Sequence, residues 1–226
     1  MKKIVVIAAM EQELAAIKQK FKIVEEKKLK DLTYYEGTLN GKEYILIKSG
    51  IGKVNAARTT QMLIDFFDIE YIINVGTAGS LNNKLEIGDI LIGEKLVQHD
   101  FDTTAFGDEK GYITGTGKIF KSNKDLVNTY NIDANNEYNI IIGTIATGDI
   151  FCTEKWMKEK IRGKFEADCV EMEGAAIAQV CTLNKIPFVV IRSISDKPNG
   201  ENAMDFNKFI NMASKRCADL IFKTNW

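Results

Sequence analysis

The chain has 226 residues, 45% of them hydrophobic, which allows a substantial buried core in one domain. Its 30 basic and 31 acidic residues leave a net charge of -1 at pH 7, so nothing draws it broadly to nucleic acid or to an anionic membrane, and a small neutral ligand fits better. Four cysteines without paired spacing and a single histidine argue against a zinc site, and the lack of a signal-peptide pattern or a membrane-length apolar run predicts a cytoplasmic protein with no membrane partner.

Apolar runs of strand length alternate with helical periodicity along the whole chain. The predicted strands lie near residues 3–9, 43–48, 71–76, 88–98, 139–147 and 187–194, and the predicted helices near 11–20, 53–67, 121–130, 154–162, 171–183 and 205–223. The charge run at residues 25–31 is interpreted as a solvated turn. Only two prolines, Pro187 and Pro198, and no Gly/Ser-rich linker interrupt the pattern, so residues 1–226 are expected to form a single domain. Because the strands are almost uniformly hydrophobic, we predict an α/β fold in which a central, mostly buried mixed β-sheet is flanked by helices on both faces.

The first strand-to-helix unit carries an acid on its core-facing side. The apolar residues 4–9 are followed by a helical pattern in which Glu13 precedes Ile17 by four positions and Phe21 by eight. These three residues share one helix face, so Glu13 points back toward the sheet. The structural alternative is that Glu13 stabilises the amino-terminal end of its helix.

Two glycine-containing segments follow predicted strands. Residues 49–55 (SGIGKVN) do not match a phosphate-binding loop, because Val54 stands where Ser or Thr is needed and Asn55 where the dinucleotide fingerprint has a third glycine. This segment fits a tight strand-to-helix turn or a close backbone approach to a ligand equally well. The small residues 75–79 (VGTAG) predict a second turn, in which the Thr77 hydroxyl is placed to hold a water or a substrate hydroxyl.

Two further residues have both a structural and a functional interpretation. His99 is the sole histidine, so no histidine nucleophile or metal cluster can form without it, and we favour a structural role over catalysis. Phe151 follows the segment 146–150 and is either part of the core or an aromatic wall for a planar ring.

The carboxyl-terminal half holds two more acids in unusual places. Glu173 precedes apolar residues at i+3, i+4, i+7 and i+8, which predicts that it lies on the buried stripe of a helix. An unpaired carboxylate there costs several kcal/mol, so Glu173 needs a partner, a proton or a polar cleft. Asp196 follows the apolar strand at residues 188–194 and terminates it before a predicted break at residues 197–200.

These three acids are predicted to form one cluster. Ligands of open α/β sheets bind beyond the carboxyl ends of the strands, where Glu13, Glu173 and Asp196 would meet. Each has a structural alternative: a helix end for Glu13, an ion pair with Arg192 for Glu173, and a turn cap for Asp196. Three such placements in one fold favour a functional site.

Six short motifs carry a family resemblance over essentially the whole chain: residues 9–13 (AMEQE), 49–54 (SGIGKV), 76–79 (GTAG), 104–107 (TAFG), 170–173 (VEME) and 193–196 (SISD). With these motifs the chain resembles the 5'-methylthioadenosine/S-adenosylhomocysteine nucleosidases. The resemblance implies the nucleoside phosphorylase fold and hydrolysis of the bond between adenine and ribose in these two nucleosides. It also implies no metal or organic cofactor, an adenine nucleoside as the ligand, and a homodimer.

The resemblance implies a role for each matching residue. Asp196 is the general acid that protonates or hydrogen-bonds N7 of adenine, and Glu13 is the base that activates water. Arg192 and Thr77 help to hold Glu13, and Glu173 accepts hydrogen bonds from the ribose hydroxyls. The other positions implied to bind substrate are Met10, Ile51, Phe151, Cys152, Met172, Ser195, Phe206 and Phe106.

Among these, three have more specific implied roles. Phe151 stacks on adenine, the backbone of Cys152 reads the edge of the base, and Phe106 reaches the pocket of the partner subunit. Asp108 departs from the family pattern, which often has an aromatic residue at this position. This departure bears on whether the site accepts bulky 5' substituents such as the homocysteinyl group.

The chemistry of the reaction agrees with these roles. An N-glycosidic bond breaks through an oxocarbenium-like state, which a nearby carboxylate such as Glu173 stabilises. Asp196 serves as an acid only if its site favours the protonated form or if it shares a proton, and we therefore predict a raised pKa for Asp196.

Three alternatives remain at the level of sequence. A phosphorolytic purine nucleoside phosphorylase would need a basic pocket, whereas residues 10–13 place carboxylate there. A catalytically silent nucleoside sensor would have no need of both Glu13 and Asp196. Another purine nucleoside hydrolase of the same fold, acting for example on futalosine, would share the acid and the base.

Overall fold

The computed structural model describes residues 2–132, 137–197 and 202–223. Its strands are β1 (Lys3–Ala8), β2 (Lys22–Leu29), β3 (Leu32–Leu39), β4 (Lys42–Lys48), β5 (Ile69–Ser80), β6 (Ile90–Gln98), β7 (Phe120–Lys121), β8 (Ile140–Thr147), β9 (Cys169–Glu171) and β10 (Phe188–Asp196). Its α-helices are α1 (Glu11–Lys18), α2 (Lys53–Phe66), α3 (Lys124–Tyr130), α4 (Lys155–Phe165), α5 (Gly174–Asn184) and α6 (Asn202–Lys223), and a 3-10 turn spans Thr104–Phe106. The predicted α/β alternation is confirmed.

The strands form one mixed sheet, and part of this sheet closes on itself. β1 lies in parallel between β4 and β5, and the antiparallel strands β3 and β2 extend the sheet beyond β4. β5 also pairs in parallel with β10 and antiparallel with β9, while β6 and β8 connect β10 back to β9. Because β1, β5 and β10 are parallel neighbours, their carboxyl ends lie at one edge of the sheet.

Helices cover both faces of the sheet, as predicted. Val5 and Ile7 of β1 pack in one core with Leu63 of α2 and Ile177 of α5. The alternate residues of β1 pack in a second core with α1 and α6, which includes Ile4, Val6, Leu14, Ile17 and Leu220. This alternation is the two-residue period of a strand, and each such aliphatic side chain contributes about 1.5–3 kcal/mol on burial.

The predicted solvated turn at residues 25–31 is wrong, because residues 25–29 belong to β2. This strand lies at the edge of the sheet, pairs only with β3 among the described strands, and is mostly exposed. Lys27 contacts Glu25 of the same strand and Glu36 of β3, each at 3.0 Å. Charged side chains on an edge strand discourage pairing with other chains, which explains a charge run within a strand.

Two other local predictions are also wrong. The predicted turn at residues 75–79 is the final part of β5, which continues to Ser80. The helix predicted from residue 171 begins at Gly174, because the short strand β9 precedes it. The predicted break at residues 197–200 lies, apart from Lys197, outside the described residues. No helix in the described part of the chain is long and apolar enough to cross a membrane.

Candidate active site

A cavity of ≈ 470 Å³ opens at the carboxyl ends of β1, β5 and β10. It brings together the three acids Glu13, Glu173 and Asp196. Its walls are mostly apolar, which limits water and strengthens the electrostatic effect of the few carboxylates. The lining residues are Ala9, Met10, Glu13, Ile51, Thr77, Ala78, Gly79, Phe151, Val170, Glu171, Met172, Glu173, Ser195, Asp196, Phe206 and Asn207.

Glu13 lies in the first turn of α1, and both of its carboxylate oxygens accept hydrogen bonds. Oε2 accepts the N–H groups of Ala9 and Met10, each at 3.0 Å. Oε1 accepts the Thr77 N–H at 3.0 Å and the Thr77 hydroxyl at 3.4 Å. Burial raises the pKa of Glu13, while the charge of Arg192 and the backbone N–H groups oppose that rise. Glu13 therefore caps its helix and faces the cavity at the same time.

Glu173 is the N-cap residue of α5 and does not belong to the apolar stripe of that helix, contrary to the prediction. It is nevertheless buried, because the turn between β9 and α5 directs it into the cavity. Oε1 accepts the Gly52 N–H at 2.9 Å, and Oε2 lies 4.0 Å from Arg192 Nη2. Burial, followed by the nearby charge of Glu171, raises the pKa of Glu173 to about 8.

Arg192 is a fully buried cation beside the cavity, and its closest carboxylate is Glu171 rather than Glu173. Nη2 donates to Glu171 Oε2 at 2.5 Å and to Asn74 Oδ1 at 2.6 Å. The same oxygen of Glu171 accepts the N–H groups of Glu173 and Gly174 at 3.0 and 2.7 Å. Arg192 and Glu171 thus fix the start of α5, and with it the position of Glu173.

Asp196 ends β10, and its carboxylate is held from two sides. The Ser195 hydroxyl donates to Oδ1 at 3.0 Å, and the Lys158 ammonium donates to Oδ2 at 2.8 Å. The same ammonium donates to the Lys197 carbonyl oxygen at 3.1 Å. Only 1% of the Lys158 side chain and 3% of the Asp196 side chain are exposed. Asp196 is therefore a buried carboxylate in contact with a buried cation.

Sequence reasoning missed Lys158 and Glu171. Lys158 precedes Ile161 and Phe165 by three and seven positions on α4, so a charge on an apolar stripe was the available signal. The same kind of signal predicts the buried position of Glu173. Glu171 lies within a family motif, but its role as a helix cap depends on a short strand that the sequence does not indicate.

Two glycines of β5 allow the acids to approach the sheet closely. A Cβ atom at Gly76 would lie 2.9 Å from Glu13 Oε1, and a Cβ atom at Gly79 would lie 2.8 Å from Asp196 Oδ2. Such distances are too short for a carbon and an oxygen in contact, so a larger residue would displace the carboxylate. The small residues that suggested a turn therefore leave space for both acids along a strand.

Aromatic side chains form another wall of the cavity. Phe151 follows β8, is 46% exposed, and contacts Phe206 of α6 edge to face with ring centroids 5.7 Å apart. Cys152 lines a small adjoining cavity with Phe151 and Asp196. Burial raises the pKa of the Cys152 thiol to about 11, so it is neutral at pH 7. An accessible aromatic face beside a buried carboxylate suits a planar ring with polar edges.

A polar network joins the loop before α2 to the loop after β8. Asp149 Oδ1 accepts the Lys53 N–H at 2.7 Å, and the Asp149 N–H donates to Asp100 Oδ2 at 2.9 Å. The Lys53 ammonium contacts Asp100 Oδ1 at 2.7 Å, which closes the network. The two loops carry Ile51 and Phe151, so the network fixes two sides of the cavity relative to each other.

Two residues considered from the sequence lie outside the cavity. Phe106, in the 3-10 turn, is 87% exposed and does not reach the cavity of its own chain. His99 is buried against Gly148, where an added Cβ atom would lie 2.3 Å from Nε2. Burial lowers the pKa of His99, and a neutral, packed imidazole agrees with the structural role that we favour.

Solved structures share the whole fold of this chain. The crystal structure of 5'-methylthioadenosine/S-adenosylhomocysteine nucleosidase from Neisseria meningitidis in complex with methylthio-immucillin-A is similar with a TM-score of 0.94 and 36% identity, covering 99% of this chain and 98% of that one. The native structure of futalosine hydrolase from Helicobacter pylori is similar with a TM-score of 0.93 and 35% identity, covering 97% of this chain and 95% of that one.

Sequence relatives lead to the same family. The 5'-methylthioadenosine/S-adenosylhomocysteine nucleosidase of Geobacillus sp. (strain WCH70) is 41% identical over 222 residues, which cover 97% of this chain and 96% of that protein. Residues 3–224 match the phosphorylase superfamily. The chain therefore belongs to the phosphorylase superfamily and, within it, to the family of 5'-methylthioadenosine/S-adenosylhomocysteine nucleosidases.

Proposed function

We propose that the chain hydrolyses the N-glycosidic bond of 5'-methylthioadenosine and S-adenosylhomocysteine, releasing adenine and the 5-thio-substituted ribose. The observation that carries the proposal is the placement of Glu13 and Asp196, two buried carboxylates with different partners, in one largely apolar cavity. The name of the Geobacillus relative, at 41% identity over nearly both chains, supports the same activity.

Asp196 acts on the leaving base. It lines a small cavity together with Phe151 and Cys152, the residues that the resemblance assigns to adenine, and this proximity supports a role in giving a proton to N7. Adenine then leaves as a neutral molecule. Proton transfer from a positioned side chain typically contributes about 10²- to 10⁴-fold to the rate.

Glu13 acts on the attacking water. Backbone N–H groups and Thr77 hold its carboxylate at the cavity wall, with hydrogen-bond lengths between 3.0 and 3.4 Å. Burial raises its pKa, which makes the carboxylate a better proton acceptor than an exposed glutamate. The charge of Arg192 opposes that rise and favours the ionised form that accepts a proton.

Glu173 acts on the sugar. Its carboxylate accepts hydrogen bonds from the ribose hydroxyls and stabilises the positive charge that develops on the ribose as the bond breaks. Burial and the charge of Glu171 raise its pKa, and hydrogen-bond donors on the ribose favour the charged state. Met10, Ile51 and Phe206 supply apolar surface for the ribose and the alkylthio group, and Met172 contacts the ribose beside Glu173.

Phosphorolysis is disfavoured by the charge of the cavity. Among the described residues that line it there are four acids, Glu13, Glu171, Glu173 and Asp196, and no lysine or arginine. A phosphate dianion beside these carboxylates would meet strong repulsion. Water, which is neutral, meets none.

A second candidate substrate is futalosine, because the Helicobacter pylori futalosine hydrolase has nearly the same fold similarity as the nucleosidase structure. Hydrolysis of either nucleoside would use the same general acid and general base. The two nucleosides differ in their nucleobase and in their 5' substituent. Parallel assays with both nucleosides separate them, and faster turnover of futalosine would favour this second candidate.

The direct test is adenine release from 5'-methylthioadenosine in phosphate-free buffer by the purified protein and its Glu13→Gln and Asp196→Asn variants. We expect release without phosphate, and a loss of about 10²-fold or more in each variant. Glu11→Gln is the matched control, because Glu11 is an exposed neighbour that contacts Lys48 at 2.8 Å outside the cavity. The control should retain the native rate.

Each of the other outcomes would assign a different activity to the protein or a different mechanism to the site. Release that requires phosphate, with a sugar phosphate as the second product in mass spectrometry, would establish a phosphorylase. Binding of 5'-methylthioadenosine without any release would establish a sensor. Native rates in Glu13→Gln or Asp196→Asn would remove that residue from the mechanism.

We further infer a cytoplasmic homodimer in which Phe106 reaches the partner's cavity. Phe106 is large, apolar and 87% exposed in the isolated chain, which supports a partner contact. Mixing Phe106→Ala chains with Glu13→Gln chains tests this directly. In a mixed dimer the Phe106→Ala chain keeps its own Glu13 and receives Phe106 from its partner, so activity should exceed that of either variant alone. No gain on mixing would contradict the inference.

A further inference from the structure

Lys158 is a buried charged residue on the inner face of α4. It shares this face with Ile161 and Phe165, and it is itself 1% exposed. Its ammonium donates to Asp196 Oδ2 at 2.8 Å and to the Lys197 carbonyl oxygen at 3.1 Å. The proposed function assigns no role to this residue, although it contacts the proposed general acid.

A purely structural role does not explain why this position holds a lysine. Burying two charges costs several kcal/mol each, and a hydrophobic side chain of similar size is often as good for stability. A methionine would extend equally well beside Ile161. The ammonium of Lys158 contacts the carboxylate of Asp196, which lines the cavity. The second oxygen of that carboxylate accepts a hydrogen bond from the Ser195 hydroxyl at 3.0 Å. The two contacts together fix the orientation of Asp196.

Two opposing effects act on the protonation of Asp196. Burial disfavours the carboxylate and so favours the protonated form that a general acid requires. An ammonium in contact stabilises the carboxylate and lowers the pKa of a carboxyl group by about 1–3. The described titratable groups around Asp196 are Lys158 on α4, Cys152 after β8, Cys169 and Glu171 on β9, Glu173 before α5 and Lys197 after β10.

The other groups in this set do not replace the charge of Lys158. Burial raises the pKa values of Cys152 and Cys169, so both thiols are neutral at pH 7. Glu171 is paired with Arg192, and the ammonium of Lys197 contacts Glu86 on the exposed side. The cation that contacts the Asp196 carboxylate among the described residues is therefore Lys158.

We propose that Lys158 is a positioning residue that orients Asp196 toward the leaving base and makes it a stronger acid. This proposal rests on the function proposed above. When Asp196 protonates N7, its O–H bond breaks, an N7–H bond forms, and the electron pair of the C1'–N9 bond passes to adenine. Water supplies the hydroxyl at C1', and Glu13 takes the proton of that water. The negative charge left on Asp196 lies 2.8 Å from the ammonium, which stabilises it.

The test uses substitutions that separate charge from packing. Lys158→Gln keeps a hydrogen-bond donor and removes the charge, Lys158→Met removes both, and Lys158→Arg keeps the charge. Lys155→Met is the matched control on the same helix, because Lys155 is 73% exposed and contacts only Glu159 among the described acids. For each variant kcat and KM are measured with 5'-methylthioadenosine as a function of pH.

We expect kcat at pH 7 to fall by at least about tenfold in Lys158→Gln and Lys158→Met, with KM changed by less than about threefold. The decline of kcat at alkaline pH should move upward by about 1–3 pH units, because a carboxyl group without the cation keeps its proton to higher pH. Lys155→Met should keep the native profile, and Lys158→Arg, which retains the cation, should keep the alkaline decline at its native pH. A structural role alone would lower stability and leave the profile in place.

A folded Lys158→Gln variant with the native kcat and the native alkaline decline would overturn the proposal. The Gln variant decides the question if the Met variant does not fold. Failure of the proposed function differs from failure of this proposal, because in the first case the native protein would release no adenine. In that case a carbon-13 NMR titration of the Asp196 carboxyl, assigned with Asp196→Asn, still tests the electrostatic step. An unchanged titration after removal of the ammonium would contradict it.

Discussion

Two buried carboxylates in the cavity are held in different ways. Glu13 accepts hydrogen bonds from neutral backbone N–H groups and from Thr77, whereas Asp196 contacts the ammonium of Lys158. Neutral donors fix a carboxylate while burial raises its pKa, which suits a group that accepts a proton. A cation in contact stabilises the charge that remains after a proton has been given away. In the proposed mechanism, the partner of each acid, more than its residue type, therefore matches the role assigned to it.

The largest expected effect comes from removing Arg192, the buried cation that lies beside both Glu171 and Glu173. Arg192→Met leaves Glu171 as an uncompensated buried charge, and we expect the free energy of unfolding to fall by about 3–5 kcal/mol. Denaturant unfolding measures this loss. Arg58→Met, which removes an exposed arginine paired with Asp31, is the control and should change stability little. A small loss in Arg192→Met would show that the buried pair is not needed to compensate Glu171.

The next effect tests how closely both acids must approach β5. Gly79→Ala places a Cβ atom 2.8 Å from the present position of Asp196 Oδ2, and Gly76→Ala places one 2.9 Å from Glu13 Oε1. A displacement of this kind costs about 10²-fold in kcat. Gly163→Ala on α4 is the control, since an added Cβ atom there meets nothing within 4 Å. Native activity in Gly79→Ala would mean that the position of Asp196 is not critical.

The sequence predicts much of this arrangement, and the limits have physical causes. Glu13 and Asp196 follow uniformly apolar strands, so their place at the carboxyl edge of a buried sheet could be derived directly. The sequence predicts Glu173 in the cavity but on the wrong element, because the three-residue strand β9 is too short to leave a periodic signal. Lys158 left a clear signal on its helix, but its partner depends on tertiary packing between α4 and β10.

A pH-dependent effect on stability concerns the third acid, which has neither full backbone support nor a cation in close contact. Glu173 has a pKa of about 8 in the folded protein against 4.5 for an unperturbed glutamate, so between these pH values the folded state keeps a proton that the unfolded state has lost. The free energy of unfolding should therefore fall as pH rises from 5 to 8, by up to about 1.4 kcal/mol per pH unit. Glu173→Gln should flatten this dependence in unfolding experiments at several pH values. The same slope in Glu173→Gln and in the Glu11→Gln control would refute the assignment.

The smallest effect comes from the network that fixes two walls of the cavity. Asp149→Ala removes the acceptor for the Lys53 N–H and loosens the loops that carry Ile51 and Phe151. We expect KM for 5'-methylthioadenosine to rise by about two- to fivefold with kcat nearly unchanged, because the contact is partly exposed. Asp125→Ala on α3, outside this network, should keep the native KM. A large fall in kcat would mean that the network also positions a reacting group.

The division of roles between Glu13 and Asp196 is tested most directly by the pH dependence of kcat/KM for 5'-methylthioadenosine in the native protein, Glu13→Gln and Asp196→Asn. We predict a bell-shaped native profile whose acid side reports ionisation of Glu13, displaced above pH 4.5 by burial, and whose alkaline side reports loss of the Asp196 proton. The residual activity of Glu13→Gln should lack the acid side, and that of Asp196→Asn should lack the alkaline side. A bell of native shape in both variants would contradict the account.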